Sequence, residues 1–199
     1  MILALAGLAA ALQSAAPAEP PPYDHLAPKE MRKVIEACGF ARVWVGRDKR
    51  EILLVRVEDS SASDEQLICA AKAIDTTFYT HEFSPELAPR FAPIRAAVAR
   101  PRQLAEARAR FAKEPERGPP PERLPGESSL AVAKRIEAFC GAVAEGALVQ
   151  SGDHIMLSGE WMARRFSTVD AMIVNAGTMG CLMQASVIAD LQLSGPVED

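Results

Sequence analysis

Lys33-Val-Ile-Glu-Ala-Cys38-Gly39 returns, one residue longer, as Lys134-Arg-Ile-Glu-Ala-Phe-Cys140-Gly141. Each copy closes an apolar pattern of helical spacing on a glycine, the usual stop for a helix. The first helix opens at Pro28, and Met31, Val34, Ile35 and Cys38 are spaced as one buried helical face running into the first copy. Beside the second, Val132, Ile136, Phe139 and Cys140 follow Ser129 in the same way.

Both copies lead into the same order of elements. After Gly39, two β-like runs, Ala41–Val45 and Glu51–Val57, flank the turn residues Gly46–Lys49. Ser63 with Gln66 then forms a capping box for a helix striped by Leu67, Ala70, Ala71 and Ile74. Thr76–Phe83, rich in Thr and aromatic residues, reads as a strand. After Gly141, Ala147–Gln150 and His154–Leu157 flank Gly152-Asp153, a two-residue hairpin turn. Ser167 with Asp170 caps a helix carrying Val169, Met172 and Ile173, and Cys181–Ile188 reads as the final strand. The predicted class is α+β: two similar helix–hairpin–helix–strand units, an internal repeat. Ile35 lies 28 residues before Ser63, and Ile136 lies 31 before Ser167. One mismatch is that Cys69 falls within a helix and Cys181 at a strand start.

The units occupy residues 27–84 and 128–192. Between them, 85–127 is a Pro-rich connector with a helix-favouring stretch, Arg102–Glu114, and a basic balance: Arg90–Arg123 holds nine Lys and Arg against four Asp and Glu. Pro115, Pro119, Pro120, Pro121 and Pro125 predict that 114–127 lacks regular structure and makes few tertiary contacts. Residues 19–26 read as a flexible N-terminus and 193–199 as an acidic tail.

Residues 1–12 are uninterrupted apolar side chains, and Ala16-Pro17-Ala18 fits the small-x-small cleavage rule. Residues 1–18 therefore read as a signal peptide, although no Lys or Arg precedes the apolar run, and the mature chain as periplasmic or extracellular, without a transmembrane anchor. In an oxidising compartment Cys38, Cys69, Cys140 and Cys181 predict two disulfides. Three connectivities are possible; local pairing, Cys38 with Cys69 and Cys140 with Cys181, needs the least chain organised before closure.

At 199 residues and 49% hydrophobic the chain can bury a core, and a net charge of −4 argues against nucleic acid. No nucleophile elbow, zinc-protease helix, phosphate loop or dinucleotide fingerprint occurs, and no cofactor is implied. Two chemical alternatives remain. Asp153, His154 and Glu160 near the second hairpin could supply an acid–base pair for a small hydrolase. Met179, Cys181 and Met183, spaced by two, would share one face of a strand and offer soft ligands for Cu(I). Trp44 and Trp161 each lie beside a hairpin; the flanking Val43 and Val45 suggest that Trp44 anchors a core, while an exposed indole could stack on sugar rings or a partner chain. The expected function is a non-catalytic binding or envelope-accessory protein, with a protein or envelope component as partner. N-terminal sequencing of exported material should begin near Glu19; a cytosolic product with an intact Met1 would refute export.

Overall fold

The computed structural model describes residues 23–194; the predicted signal peptide, residues 19–22 and residues 195–199 lie outside them. The architecture is α+β. Helix α1 (Pro28–Ala37) starts on a proline at its first position, and Glu30 reaches back to accept from the Ala27 amide at 2.9 Å. It buries Met31 and Ile35 and stops at Gly39, whose φ of 93° a side chain would strain. Strands β1 (Val43–Arg47) and β2 (Leu53–Val57) form an antiparallel hairpin. Helix α2 (Asp64–Asp75) carries the chain across to β3 (Thr80–Phe83), parallel to β2. Ser63 and Gln66 make the expected reciprocal cap, and the Gln66 amide also donates to the Gly39 carbonyl at 2.8 Å.

The second half comprises helix α4 (Ser129–Cys140), the hairpin β4 (Leu148–Ser151) and β5 (His154–Leu157), helices α5 (Gly159–Arg165) and α6 (Val169–Ile188), and β6 (Leu193–Ser194), parallel to β5. Two departures from the sequence reading stand out here. Cys181–Ile188 is the inner end of α6, not a strand: Cys181, Leu182, Ala185 and Ser186 are its buried positions, which is helical spacing. The third strand comes later, at the start of the segment read as an acidic tail.

Two disulfides close the halves separately, Cys38 to Cys69 and Cys140 to Cys181, with Cα separations of 5.6 and 5.8 Å. They suit an oxidising compartment. Each half has its own apolar cluster. One gathers Met31, Ile35, Val55, Leu67 and Phe91; the other gathers Phe111, Ile136, Leu148, Trp161 and Leu182.

The connector differs most from expectation. Helix α3 runs from Ala88 to Phe111, straight through Pro93 and Pro101. Each proline removes an amide donor and frees the carbonyl four residues earlier. Pro93, Pro101 and the freed residues Pro89 and Ala97 all face outward, where water can satisfy those carbonyls. The buried residues Phe91, Ala99, Ala107 and Phe111 form one stripe, with Phe91 in the first cluster and Phe111 in the second. Helix α3 packs on both α2 and α6.

What holds α3 to the first half is Asp75, only 6% exposed. It accepts from Arg102 through both oxygens, at 2.9 Å each, and from Arg95 at 2.8 Å. Arg102 also donates to the Tyr23 hydroxyl at 2.6 Å and pairs with Glu106. Burial pushes the Asp75 carboxyl upward, but the two guanidiniums outweigh it and hold its pKa below the ordinary aspartate value. The same contacts raise the Arg102 pKa.

Residues 23–26, expected to be mobile, are tied down as well. Asp24 bridges to Thr76 through backbone and side chain, and the Tyr79 hydroxyl donates to the Leu26 carbonyl at 3.0 Å. The stretch 114–127 has only a single 3-10 turn at Pro115–Arg117, yet it is fastened. Arg135 of α4 holds both carboxylate oxygens of Glu127, at 3.0 and 2.8 Å, and the Glu122 carbonyl at 3.1 Å. Proline content removed regular structure there without removing contacts.

Replacing Asp75 by Asn should cost about 3 kcal/mol at neutral pH, because partly buried Arg95 loses its counter-charge and Arg102 keeps only Glu106. Because folding lowers the Asp75 pKa, its stabilisation is complete above the unfolded value near 3.8 and fades as pH falls through the folded value. Urea unfolding of both proteins should therefore show the gap narrowing below about pH 4; a gap independent of pH would refute the assignment.

Candidate functional site

Asp153 and His154 sit at the β4–β5 turn, both exposed. With Arg123, Ser129 and Asp190 they line an open, polar cavity of about 300 Å³. Asp190 is engaged by Arg100 at 2.9 Å. Glu160 is elsewhere, on α5, exposed and 3.9 Å from Arg164, so the three proposed acid–base residues are not gathered. Of the other histidines, His25 packs on Phe78 and His81 packs edge-on to Phe91, with centroids 5.0 Å apart. Burial, then the charge of Arg95, hold the His81 imidazole below its ordinary pKa.

The sulfur trio is dispersed as well. On a helix a spacing of two turns the side chain by about 200°. Cys181 therefore points into the core and bonds Cys140, Met179 packs against the same cluster, and Met183 is exposed. The strand that would have aligned the three sulfurs does not form. Among the described residues no group of three or more His, Cys, Asp or Glu is placed to hold a metal ion.

The tryptophan buried in the core is Trp161, and Trp44 is not the core anchor that its flanking valines suggested. Trp161 is 1% exposed; its indole N–H donates to the Val143 carbonyl at 2.9 Å and its ring meets Phe166. Trp44 is 42% exposed. Valines at 43 and 45 flank it in sequence, but on a strand they point to the opposite face.

A different feature dominates the surface. Helix α6 is 20 residues long, with a mean hydropathy of 1.4 over 18 of them and Asp170 as its one charged side chain. By length and composition it could cross a membrane, yet its second half belongs to the core. Its first half projects. Val169, Ile173 and Val174 are 71%, 70% and 79% exposed, and Met172 is half exposed. Exposure on several sides of a helix leaves no ordinary packing explanation.

The projection has a built base. Ser158 caps α5 by accepting from the Trp161 amide, and buried Trp161 anchors that short helix. Thr168 caps α6 by accepting from the Ala171 amide at 3.2 Å. At the corner, buried Asn175 donates to the Arg165 carbonyl and to the Ala171 carbonyl, both at 2.8 Å. Arg164 and Arg165, both exposed, stand at this corner; no carboxylate among the described residues lies within ion-pair distance of Arg165. Sequence periodicity marked Val169, Met172 and Ile173 as a helical stripe and missed Val174, Arg164 and Arg165. The available signal was that apolar residues at 172, 173 and 174 cover too many directions for a single buried stripe.

No family model matches the chain, and no curated protein or solved structure is similar to it.

Proposed function

We propose that this is an exported, non-catalytic envelope-accessory protein that rests on an anionic lipid surface through the projecting end of α6. The observation that carries the reading is the outward display of Val169, Met172, Ile173 and Val174 beside Arg164 and Arg165. Apolar side chains that enter the acyl boundary, with guanidiniums left at headgroup level, are what interfacial attachment needs. Such a patch is modest, so binding should be reversible and salt-sensitive.

Export is supported by the apolar run at residues 1–12, the Ala16-Pro17-Ala18 cleavage pattern and two disulfides. The two-unit reading also belongs to this proposal. Both sheets run hairpin first, with the third strand parallel to the second. In each, a disulfide links the end of the first helix to the helix before the third strand, which is where the sequence echo puts Cys38 and Cys140. Helix α3 then serves as the element both units share.

Flotation of the disulfide-bonded protein with phosphatidylglycerol vesicles tests the lipid reading. The wild type should float with them at low salt and less with phosphatidylcholine vesicles. Val174→Asp combined with Ile173→Asp should abolish flotation while leaving the circular dichroism unchanged. Arg164→Gln with Arg165→Gln should weaken it and flatten its salt dependence. Failure to float, together with a dimer that dissociates in the Ile173→Asp variant, would overturn the proposal and assign this face to a second copy of the chain.

A further inference from the structure

Gly46 sits inside β1 with a backbone conformation open to any residue, so its missing side chain calls for another reason. A Cβ there would come within 2.7 and 2.9 Å of the Trp44 ring carbons Cζ2 and Cη2. The indole therefore lies along the strand, over the glycine, and the space it occupies is the reason for Gly46. Leu54, paired with Gly46 across the hairpin, is buried yet stands outside the main apolar cluster of that half. What results is a flat aromatic surface laid on the solvent side of the first sheet.

The register continues this row across the sheet. Trp44 pairs with Arg56, and Arg56 with Glu82. The Arg56 guanidinium lies over the indole ring, 5.5 Å from its centroid, and its Nε donates to Glu82 Oε2 at 2.7 Å. Both charged side chains stay about half exposed. Alongside the row is an open cavity of about 400 Å³, lined by Arg42, Arg56, Glu58, Ser60, Glu82 and Ser84 among others.

An exposed indole next to a guanidinium–carboxylate pair is suited to a pyranose ring. The C–H face of the sugar stacks on the part of the indole that Arg56 leaves exposed, while vicinal hydroxyls accept from the guanidinium and donate to the carboxylate. Lys and Arg do not outnumber Asp and Glu in the lining, which speaks against a polyanion and for an uncharged sugar. We propose that Trp44, Arg56 and Glu82 form a binding subsite for a neutral polysaccharide chain. This site is separate from the α6 surface and stands without it.

Tryptophan fluorescence of the intact protein tests it, because Trp44 is exposed and Trp161 is buried. Titration with cellohexaose, maltoheptaose and chitohexaose should give, for at least one of them, a blue shift that saturates with a Kd of about 1 mM or tighter. Isothermal calorimetry of Trp44→Ala should then show at least tenfold weaker binding. Glu82→Gln and Arg56→Gln should each weaken it severalfold, and Trp44→Phe should restore part of it. Gly46→Val, which lifts the indole, should weaken binding with the far-ultraviolet circular dichroism retained. No saturable shift up to about 10 mM of any of the three sugars would overturn the proposal. So would binding that survives Trp44→Ala, or saturation only by a proline-rich peptide, which would make the indole a peptide contact.

Discussion

Asp75 and the two arginines that converge on it hold the molecule in its arrangement. The carboxylate ends α2, while Arg95 and Arg102 lie two turns apart on α3, so the cluster fixes that helix in position and in rotation. Once α3 is oriented in this way, its far end meets the second half. Arg110 crosses α6 at Gly180, where a side chain would collide with the guanidinium, and Arg100 pairs with Asp190 just after α6. Both contacts engage the second half of α6 or the turn that follows it. The first half of the same helix, held by Asn175 to the end of α5, turns Val169, Met172, Ile173 and Val174 to solvent.

Stability is distributed in keeping with this. Each half is small and closes its own loop by a disulfide, which in the chain-entropy view contributes about 3–4 kcal/mol. Neither disulfide crosses between halves, so their association rests on α3, packed on α2 in one half and α6 in the other. Helix α3 itself is a poor helix by local preference, since two internal prolines cost about 3 kcal/mol each in an isolated helix. Its persistence reflects packing on both sides and prolines confined to the solvent face. Tertiary context overrides propensity there.

Where a segment has one buried face, the sequence was readable. Met31 and Ile35, the Ser63–Gln66 cap, the second hairpin and the two local cysteine pairs follow from periodicity, turn chemistry and loop length, whereas the first hairpin turns at 48–52, beyond the expected Gly46–Lys49, with Gly46 and Arg47 inside β1. Legibility failed where one signal had two sources. Alternation at Met179, Cys181 and Met183 resembles a strand, but Cys181, Leu182, Ala185 and Ser186 also fall at the spacing of a helix buried on one side. Prolines at 93 and 101 argue for breaks, and only the outward orientation of those residues, set by the register of Phe91 and Ala99, removes the penalty. The candidate sites were least legible. Trp44 is flanked by valines that belong to the core, and Val174 is distinguished from a core valine by nothing except what fails to cover it.

Helix α6 has two unlike halves, one buried by α3 and α4 and one offered outward. Amide hydrogen exchange along that helix, measured with and without phosphatidylglycerol vesicles, addresses this directly. Residues 181–188 should exchange slowly in both conditions, whereas 169–176 should exchange fast alone and slow down when vesicles are added. Uniform protection along α6 in the free protein, or vesicle-induced protection that omits 169–176, would contradict it.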